Sequence, residues 1–312
     1  MRALACPASL KGVLAAPAAA AALAEGLRAG GAEAVELPVA DGGEGTAEVL
    51  RLALGGEWRR ADVHDAFGRP NASRWLLLAD GTAVVEAAAA VPLDPERLDP
   101  LTASSRGYGE LVAAALAAGP GELLLCLGGT ATMDAGVGLL EVVGELPVAA
   151  RVACDVTATL AEAPRLFGPQ KGASPAEVAE LERRFAARQE LVLFQHKPGG
   201  GAAGGLGAAL ASLGAELVPG AALVLDAARF DVAGFDLVVT GEGRVDATTA
   251  LGKVPGEVAR RAAGTRCVVF GGVVEVAVAG AETIALSGDP QRAHDDLFEL
   301  GRRLALDRHQ IR

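Results

Sequence analysis

The sequence has little of several residue types that mark particular functions. Its 312 residues include four cysteines, four lysines and one asparagine, and aromatic side chains make up 4% of the chain. The cysteines stand singly and form no C-x-x-C pair, which excludes a zinc ribbon or a dithiol redox motif and predicts reduced, buried thiols. Lys11 and Pro17 interrupt the apolar N-terminal stretch, so we predict a strand, a loop and a helix there rather than a signal peptide or a membrane span. We therefore expect a cytoplasmic protein.

The overall charge limits the possible partners. The formal net charge is −11, and 51% of the residues are hydrophobic. Such a composition is typical of a globular protein, and an acidic surface argues against a nucleic acid or an anionic membrane as partner. An anionic substrate would have to be met by a local cluster of basic groups.

Short apolar runs that end in glycine- and aspartate-rich loops recur along the chain. Helical segments alternate with these runs, at about 17–28, 46–54, 109–118 and 256–262. The alternation predicts a parallel sheet covered by helices on both faces, a flavodoxin-like or Rossmann-like α/β domain. Ligands of such sheets bind beyond the carboxyl ends of the strands, where all the glycine-rich loops fall.

Two regions predict a second α+β domain inserted into the first. Residues 57–100 contain strands joined by turns, with a hairpin signal at "ADGT", and a helix with a capping sequence begins near Ser174. We predict that 1–56, 101–158 and 231–312 form the parallel-sheet domain, and that 57–100 and 159–230 form the inserted one. The active site is expected in the cleft between them.

Carboxylates and lysines occupy several of the predicted loops. Asp41 and Glu44 lie in "VADGGEGT", a loop that could hold Mg²⁺ or form a simple turn before a helix. Glu242 and Asp246 lie in "TGEGRVD", and Lys253 follows near a helix N-terminus, which is a suitable phosphate site. Lys11, Asp155 and Lys171 each give a weak signal alone, and we expect these groups to converge.

The histidines and cysteines offer no nucleophile–base pair and no metal-ligand spacing. The chemistry must then come from acids, lysines and glycines, a set that suits phosphoryl transfer. A nicotinamide dehydrogenase is disfavoured because G-x-G-x-x-G with a following acid is missing.

The motifs "LPVADGGEGT", "GGTATMDAG", "ACDV", "FGPQKGA", "GAAGGLGAAL" and "TGEGRVDATTALGKVP" occur in one order. On these motifs the chain resembles the bacterial glycerate kinase family of the first type, from Ala5 to about Gly271. The resemblance implies transfer of the ATP γ-phosphoryl group to D-glycerate, giving 2-phosphoglycerate, with Mg²⁺. We also expect a homodimer.

The resemblance also implies site residues. The catalytic set would be Lys11, Asp41, Asp134, Asp155 and Lys253. Asp41, Glu44 or Asp246 would hold Mg²⁺. The nucleotide-binding set would be Gly42, Gly43, Glu44, Gly128, Gly129, Thr132, Lys171, Gly204, Gly205, Glu242 and Arg244.

Several positions depart from the family pattern. Met133 stands where the family has an asparagine and Ala135 where it has a glycine. Ala8 replaces an acid, Leu251 replaces a histidine, and Thr157-Ala158 stands where the family has Asn-Pro. These changes remove hydrogen-bonding groups from loops expected to hold substrate. They motivate the alternative of a weakened or inactive homologue that binds a nucleotide or a small acid without turnover.

Overall fold

A computed structural model describes residues 1–249 and 252–307. Its strands and helices alternate along most of the chain, as the apolar runs predicted. The strands are β1 (Arg2–Ala5), β2 (Glu33–Glu36), β3 (Glu57–His64), β4 (Pro70–Leu77), β5 (Thr82–Glu86), β6 (Glu122–Cys126), β7 (Ala149–Cys154), β8 (Glu216–Pro219), β9 (Leu237–Val245), β10 (Arg266–Val274) and β11 (Glu282–Ala285). The α-helices are α1 (Ala16–Ala29), α2 (Thr46–Leu54), α3 (Ala87–Ala90), α4 (Arg106–Ala117), α5 (Val137–Leu140), α6 (Ala163–Phe167), α7 (Pro175–Ala186), α8 (Ala202–Ser212), α9 (Gly220–Ala227), α10 (Val254–Arg261) and α11 (Ala293–Leu306). Short 3₁₀ helices span Pro169–Lys171, Gln189–Phe194 and Pro290–Arg292.

The chain divides into two compact units. The first, which we call the terminal unit, comprises 1–41 and 224–312, and the second, the inserted unit, comprises 42–223. The inserted unit is thus one continuous segment between the two parts of the terminal unit, whereas we predicted an inserted domain made of two separate segments, 57–100 and 159–230.

The terminal unit is built on a parallel sheet with the order β11-β10-β9-β1-β2. Its central strands are continuous apolar runs because both of their faces are covered. Helices α1 and α11 supply part of the cover. The core contains Leu23, Leu27, Leu237, Val239, Val268, Phe270, Leu297 and Leu300.

The inserted unit holds a mixed sheet with the order β3-β4-β5-β6-β7-β8. Strands β3, β4 and β5 are antiparallel neighbours, and β5 through β8 run parallel. The hairpin predicted at "ADGT" joins β4 to β5, with Leu78 and Thr82 hydrogen-bonded across the turn. Tyr108 of α4 is fully buried against this sheet and donates its hydroxyl to the Val85 carbonyl at 3.4 Å.

One predicted grouping is wrong. We expected 101–158 to share a sheet with β1, but β6 and β7, which lie in that segment, pair with β5 and β8 in the inserted unit. An apolar run specifies a buried strand, whereas its neighbours are chosen by long-range packing that the run itself does not encode.

The local helix signals were more reliable. Helix α2 spans Thr46–Leu54 as predicted, with Gly45 as its N-cap in a left-handed conformation. Helix α7 begins with the predicted capping box, in which Ser174 Oγ accepts the Glu177 amide and Glu177 Oε2 accepts the Ser174 amide. A capping box depends on residues only three positions apart, so it can be recognised in the sequence.

Candidate active site

The terminal unit gathers predicted site residues at the carboxyl ends of its parallel strands. Asp41 follows β2, and Glu242 lies in the last half of β9, which Asp246 follows. The buried hydroxyl of Thr249 joins the two acids of the β9 loop: it donates to Glu242 Oε1 at 2.8 Å and accepts the Asp246 amide at 3.1 Å. The Glu242 carboxylate is therefore tied through Thr249 to the backbone at Asp246.

The charges of this cluster act on one another. Burial raises the pKa of Glu242, and the negative charges of Asp41 and Asp246 raise it further, against the opposing effects of Thr249 and Lys253. Hydrogen bonds from Thr248 lower the pKa of Asp246. The three carboxylates are therefore close enough for their charges to act on one another.

Two lysines belong to the same unit. Lys253 is the N-cap residue of α10, and its Nζ lies 3.7 Å from Asp246 Oδ1. Lys11 is exposed in the turn after β1, and its amide nitrogen lies 3.6 Å from where a Cβ of Gly243 would be. Arg244, in contrast, forms an ion pair with Glu275 on the exposed side of β9. Its predicted contact with nucleotide stays a prediction.

The inserted unit brings a second set of loops together at the ends of β5, β6 and β7. Gly128 packs against Gly43 so closely that a Cβ at residue 128 would lie 2.6 Å from the Gly43 Cα, and 3.5 Å from Asp155 Oδ2. Only glycine permits this approach. Three of the predicted loops are therefore neighbours within this unit, as we expected. They are the loop with Gly42, Gly43 and Glu44, the loop with Gly128 and Gly129, and the loop with Asp155.

Sequence reasoning missed Glu86, which belongs to this edge. It is the last residue of β5, and its carboxylate accepts the Ala47 amide at 2.8 Å in the first turn of α2. Burial raises the pKa of Glu86, and the charge of Glu44 adds to that effect. The available signal was a lone acid inside the otherwise apolar run 83–91.

Asp134 is fixed by hydrogen bonds from its surroundings. Its Oδ2 accepts the Ser105 amide and hydroxyl, both at 2.8 Å, and the Gly138 amide at 3.1 Å, while Oδ1 accepts the Gly136 amide at 3.0 Å. Four donors use most of the acceptor capacity of a carboxylate. Through these contacts Asp134 stabilises the conformation of its loop. A catalytic role for Asp134 stays a prediction.

Gly204 and Gly205 pack against the same loop. A Cβ at Gly204 would lie 2.0 Å from the Thr132 carbonyl oxygen, and the Gly204 oxygen accepts the Ala135 amide at 2.9 Å. Ala135 and Ala203 both adopt left-handed backbone conformations, with φ of 55° and 52°. Alanine is strained in the left-handed backbone region, and the family pattern has glycine at position 135. Backbone strain of this kind concentrates at functional sites.

Lys171 is buried beneath the loop. Only 5% of it is exposed, and its Nζ donates to the Thr132 carbonyl at 2.8 Å. Burial lowers the pKa of Lys171 to about 8, while the charges of Asp134 and Asp155 oppose that shift. The glycines on either side of this lysine, Gly168 and Gly172, indicate a turn, and a turn signal carries no information on burial.

Met133 does not offer its side chain to a substrate. It is 1% exposed and packs in a hydrophobic cluster with Leu160, Leu181 and Phe185. The loss of a hydrogen-bonding group that we expected here is therefore a change in packing beneath the loop. Ala8 and Ala158 keep backbone hydrogen bonds to Gly241 and Gly201, and Leu251 lies outside the described residues.

We expect Met133→Asn to destabilise the protein instead of improving it. An amide in this cluster loses the buried thioether contacts and desolvates two polar atoms, at a cost of about 2–4 kcal/mol. Met133→Leu preserves volume and should cost less than about 1.5 kcal/mol. Urea denaturation of the two variants and the wild type measures both values. Equal stability of the asparagine variant and the wild type would contradict the assignment of Met133 to the core.

We searched the described part of the chain for metal-ligand clusters and membrane-spanning helices. Among residues 1–249 and 252–307, no three His, Cys, Asp or Glu side chains form a group that could hold a metal ion by themselves. No helix in those ranges is both long and apolar enough to cross a membrane. The four cysteines are buried and free, as predicted.

The fold and the loops define a class of protein: a two-unit α/β enzyme whose glycines, acids and lysines lie at the carboxyl ends of parallel strands. The profile of the Glycerate kinase family matches residues 3–147 and 145–288. Glycerate 2-kinase of Escherichia coli K12 is 38% identical over 72% of this chain and 71% of its own length. Glycerate kinase of Bacillus subtilis 168 is 37% identical over 84% and 82%.

A solved structure from Salmonella typhimurium LT2, of a protein provisionally assigned as glycerate kinase 2, superposes with a TM-score of 0.82 at 32% identity. The match covers 98% of this chain and 97% of that one. The chain therefore belongs to the glycerate kinase family, which confirms the resemblance stated from its motifs.

Proposed function

We propose that this protein transfers the γ-phosphoryl group of ATP to D-glycerate and releases 2-phosphoglycerate and ADP. The observation that carries the proposal is the grouping of Asp41, Glu242, Asp246 and Lys253 within the terminal unit, in a chain of the glycerate kinase family. Relatives named glycerate 2-kinase and glycerate kinase support the choice of acceptor.

The donor set fits Mg²⁺ delivered with the nucleotide. Mg²⁺ is usually held by one or two protein carboxylates together with waters and substrate phosphates, so a dedicated cage of three ligands is not required. Asp41 and Asp246 would hold it in the terminal unit, and Glu44 in the inserted unit would be the further candidate. When bound, the cation would neutralise charge on the transferring phosphoryl group.

The protein's own groups then position the reactants. Lys253 at the N-terminus of α10 would neutralise phosphate charge, and Lys11 would face a phosphate or the glycerate carboxylate. Glycine amides at 128–129 would donate to phosphate oxygens, and Asp155 would accept the proton of the attacking hydroxyl. In phosphoryl transfer, positioning and charge neutralisation supply nearly all of the catalysis. The homodimer stays a prediction.

We expect the purified protein to release ADP only when D-glycerate and ATP are both present, with Mg²⁺ in every reaction. Pyruvate kinase and lactate dehydrogenase report ADP as loss of NADH absorbance. A second assay identifies which carbon is phosphorylated. Enolase, added without phosphoglycerate mutase, converts 2-phosphoglycerate to an enol product that absorbs at 240 nm but does not convert the 3-isomer.

The outcomes separate the proposal from its alternative. Calorimetric binding of ATP or glycerate without ADP release would favour a homologue that binds without turnover. ADP release with no enolase signal would retain the kinase and reject 2-phosphoglycerate as its product.

A further inference from the structure

Lys171 is a buried cation whose contact is with the protein itself. It ends the 3₁₀ helix Pro169–Lys171 and leaves 5% of its surface exposed. We propose that Lys171 is a positioning residue, which holds the 130–136 loop for phosphoryl transfer by a charged hydrogen bond to the Thr132 carbonyl, and does not itself contact nucleotide. The proposal rests on the kinase function proposed above.

Lys171 fixes the orientation of the 132–133 peptide group. Its Nζ donates to the Thr132 oxygen at 2.8 Å. The hydroxyl of the same residue donates to the Ala203 carbonyl at 3.0 Å, so Thr132 is held from two sides. Turning the 132–133 peptide would break the bond to Lys171, three residues along the chain from Gly129, whose amide is expected to donate to phosphate.

The rest of the loop is anchored independently. Asp134 accepts the Ser105, Gly136 and Gly138 amides, and Ala135 donates to Gly204. Loss of the lysine contact should therefore loosen a short segment around Thr132 without releasing the whole loop. That separation allows a positioning effect to be distinguished from a loss of folding.

The charge of Lys171 can be changed experimentally by changing the pH. The charged groups that act on it are Asp134, in the loop, and Asp155, after β7, and both favour the ammonium form. Burial nevertheless lowers its pKa to about 8, so the ammonium is lost within an accessible pH range. A neutral amine makes a weaker hydrogen bond than an ammonium.

We expect Lys171→Met, which keeps the length of the side chain and removes its charge, to lower kcat by about 10- to 100-fold with a smaller change in the KM for ATP. Lys197→Met, at an exposed lysine of the same unit, is the matched control and should match the wild type. A Lys171→Met enzyme with the kcat of the wild type, or one whose KM for ATP alone is raised, would overturn the proposal.

The pH dependence of the wild type provides a test that needs no variant. The kcat should fall as the pH rises through about 8, and the fall should be reversible. In Lys171→Met this alkaline limb should be missing. A constant wild-type kcat from pH 7 to about pH 9.5, or the same limb in Lys171→Met, would contradict the role assigned to the charge.

Hydrogen–deuterium exchange tests the hold on the loop even if glycerate is not the substrate. After correction for intrinsic exchange rates, amides in the 130–136 segment should exchange faster in Lys171→Met than in the wild type, while those of α4 should be unchanged. Unchanged protection in 130–136 would reject the positioning role. Absence of kinase activity with faster local exchange would reject the proposed function alone.

Discussion

Lys253→Ala is expected to lower kcat/KM for D-glycerate phosphorylation by about 10²- to 10³-fold, the loss measured when one preorganised group at a developing charge is removed. Lys253 is the N-cap residue of α10, so its positive charge adds to that of the free amides of the first helical turn. Its side chain is 34% exposed and 3.7 Å from Asp246, so the pair contributes little to folding. The loss should therefore appear in turnover and not in the melting temperature.

The control for this prediction lies on the same helix. Arg260→Ala removes an equal charge from the exposed side of α10, where Arg260 pairs with Glu257. We expect it to stay within about twofold of the wild type in kcat/KM. If both variants lost activity equally, the effect would belong to the general charge of the helix. If Lys253→Ala kept wild-type activity, the assignment of Lys253 to phosphate would be wrong.

Gly204→Ala is expected to have the largest effect on stability, a loss of about 3–5 kcal/mol in the free energy of unfolding. The glycine has a φ of 67°, and a Cβ there would lie 2.0 Å from the Thr132 carbonyl oxygen and 2.7 Å from the Met133 Cα. Both atoms are backbone, so no rotamer change can relieve the overlap. The loop would have to move away from α8.

Gly214→Ala separates conformational strain from steric overlap. Gly214 follows the same helix with a φ of 92°, but no atom lies within 4 Å of its Cβ position. It should lose only about 1–2 kcal/mol from the left-handed backbone. Both tryptophans, Trp58 and Trp75, lie in the inserted unit, so their fluorescence in urea follows that unit. Equal losses in the two variants would contradict the close packing at Gly204.

Most of what the sequence predicted correctly depends on short-range chemistry. The start of α2 after Gly45, the capping box of α7 and the 79–82 hairpin turn each follow from residues within a few positions. The glycine and acid loops were identified because each follows an apolar run, and the family followed from their order.

The features that the sequence did not reveal concern which side chains are buried and which residues they contact. Met133 was expected to face a substrate but is 1% exposed in a hydrophobic cluster. Lys171 was assigned to nucleotide binding from its motif, and its glycine-bounded turn gave no sign that the side chain is 5% exposed. Glu86 was not identified because a single acid inside an apolar run matches no motif. Its significance comes from the Ala47 amide of α2, which the fold brings to it.

By itself the sequence determined the α/β class, the family and the loops that carry the acids, lysines and glycines, because these depend on periodicity and local spacing. Only the tertiary structure decided that β6 and β7 belong to the sheet of the inserted unit, that Lys171 lies beneath the Thr132 carbonyl and that Asp134 is committed to Ser105 and the loop amides. Strand partners and buried charges are set by contacts between distant residues. Such contacts are favourable only once the whole unit has packed, so no local pattern records them.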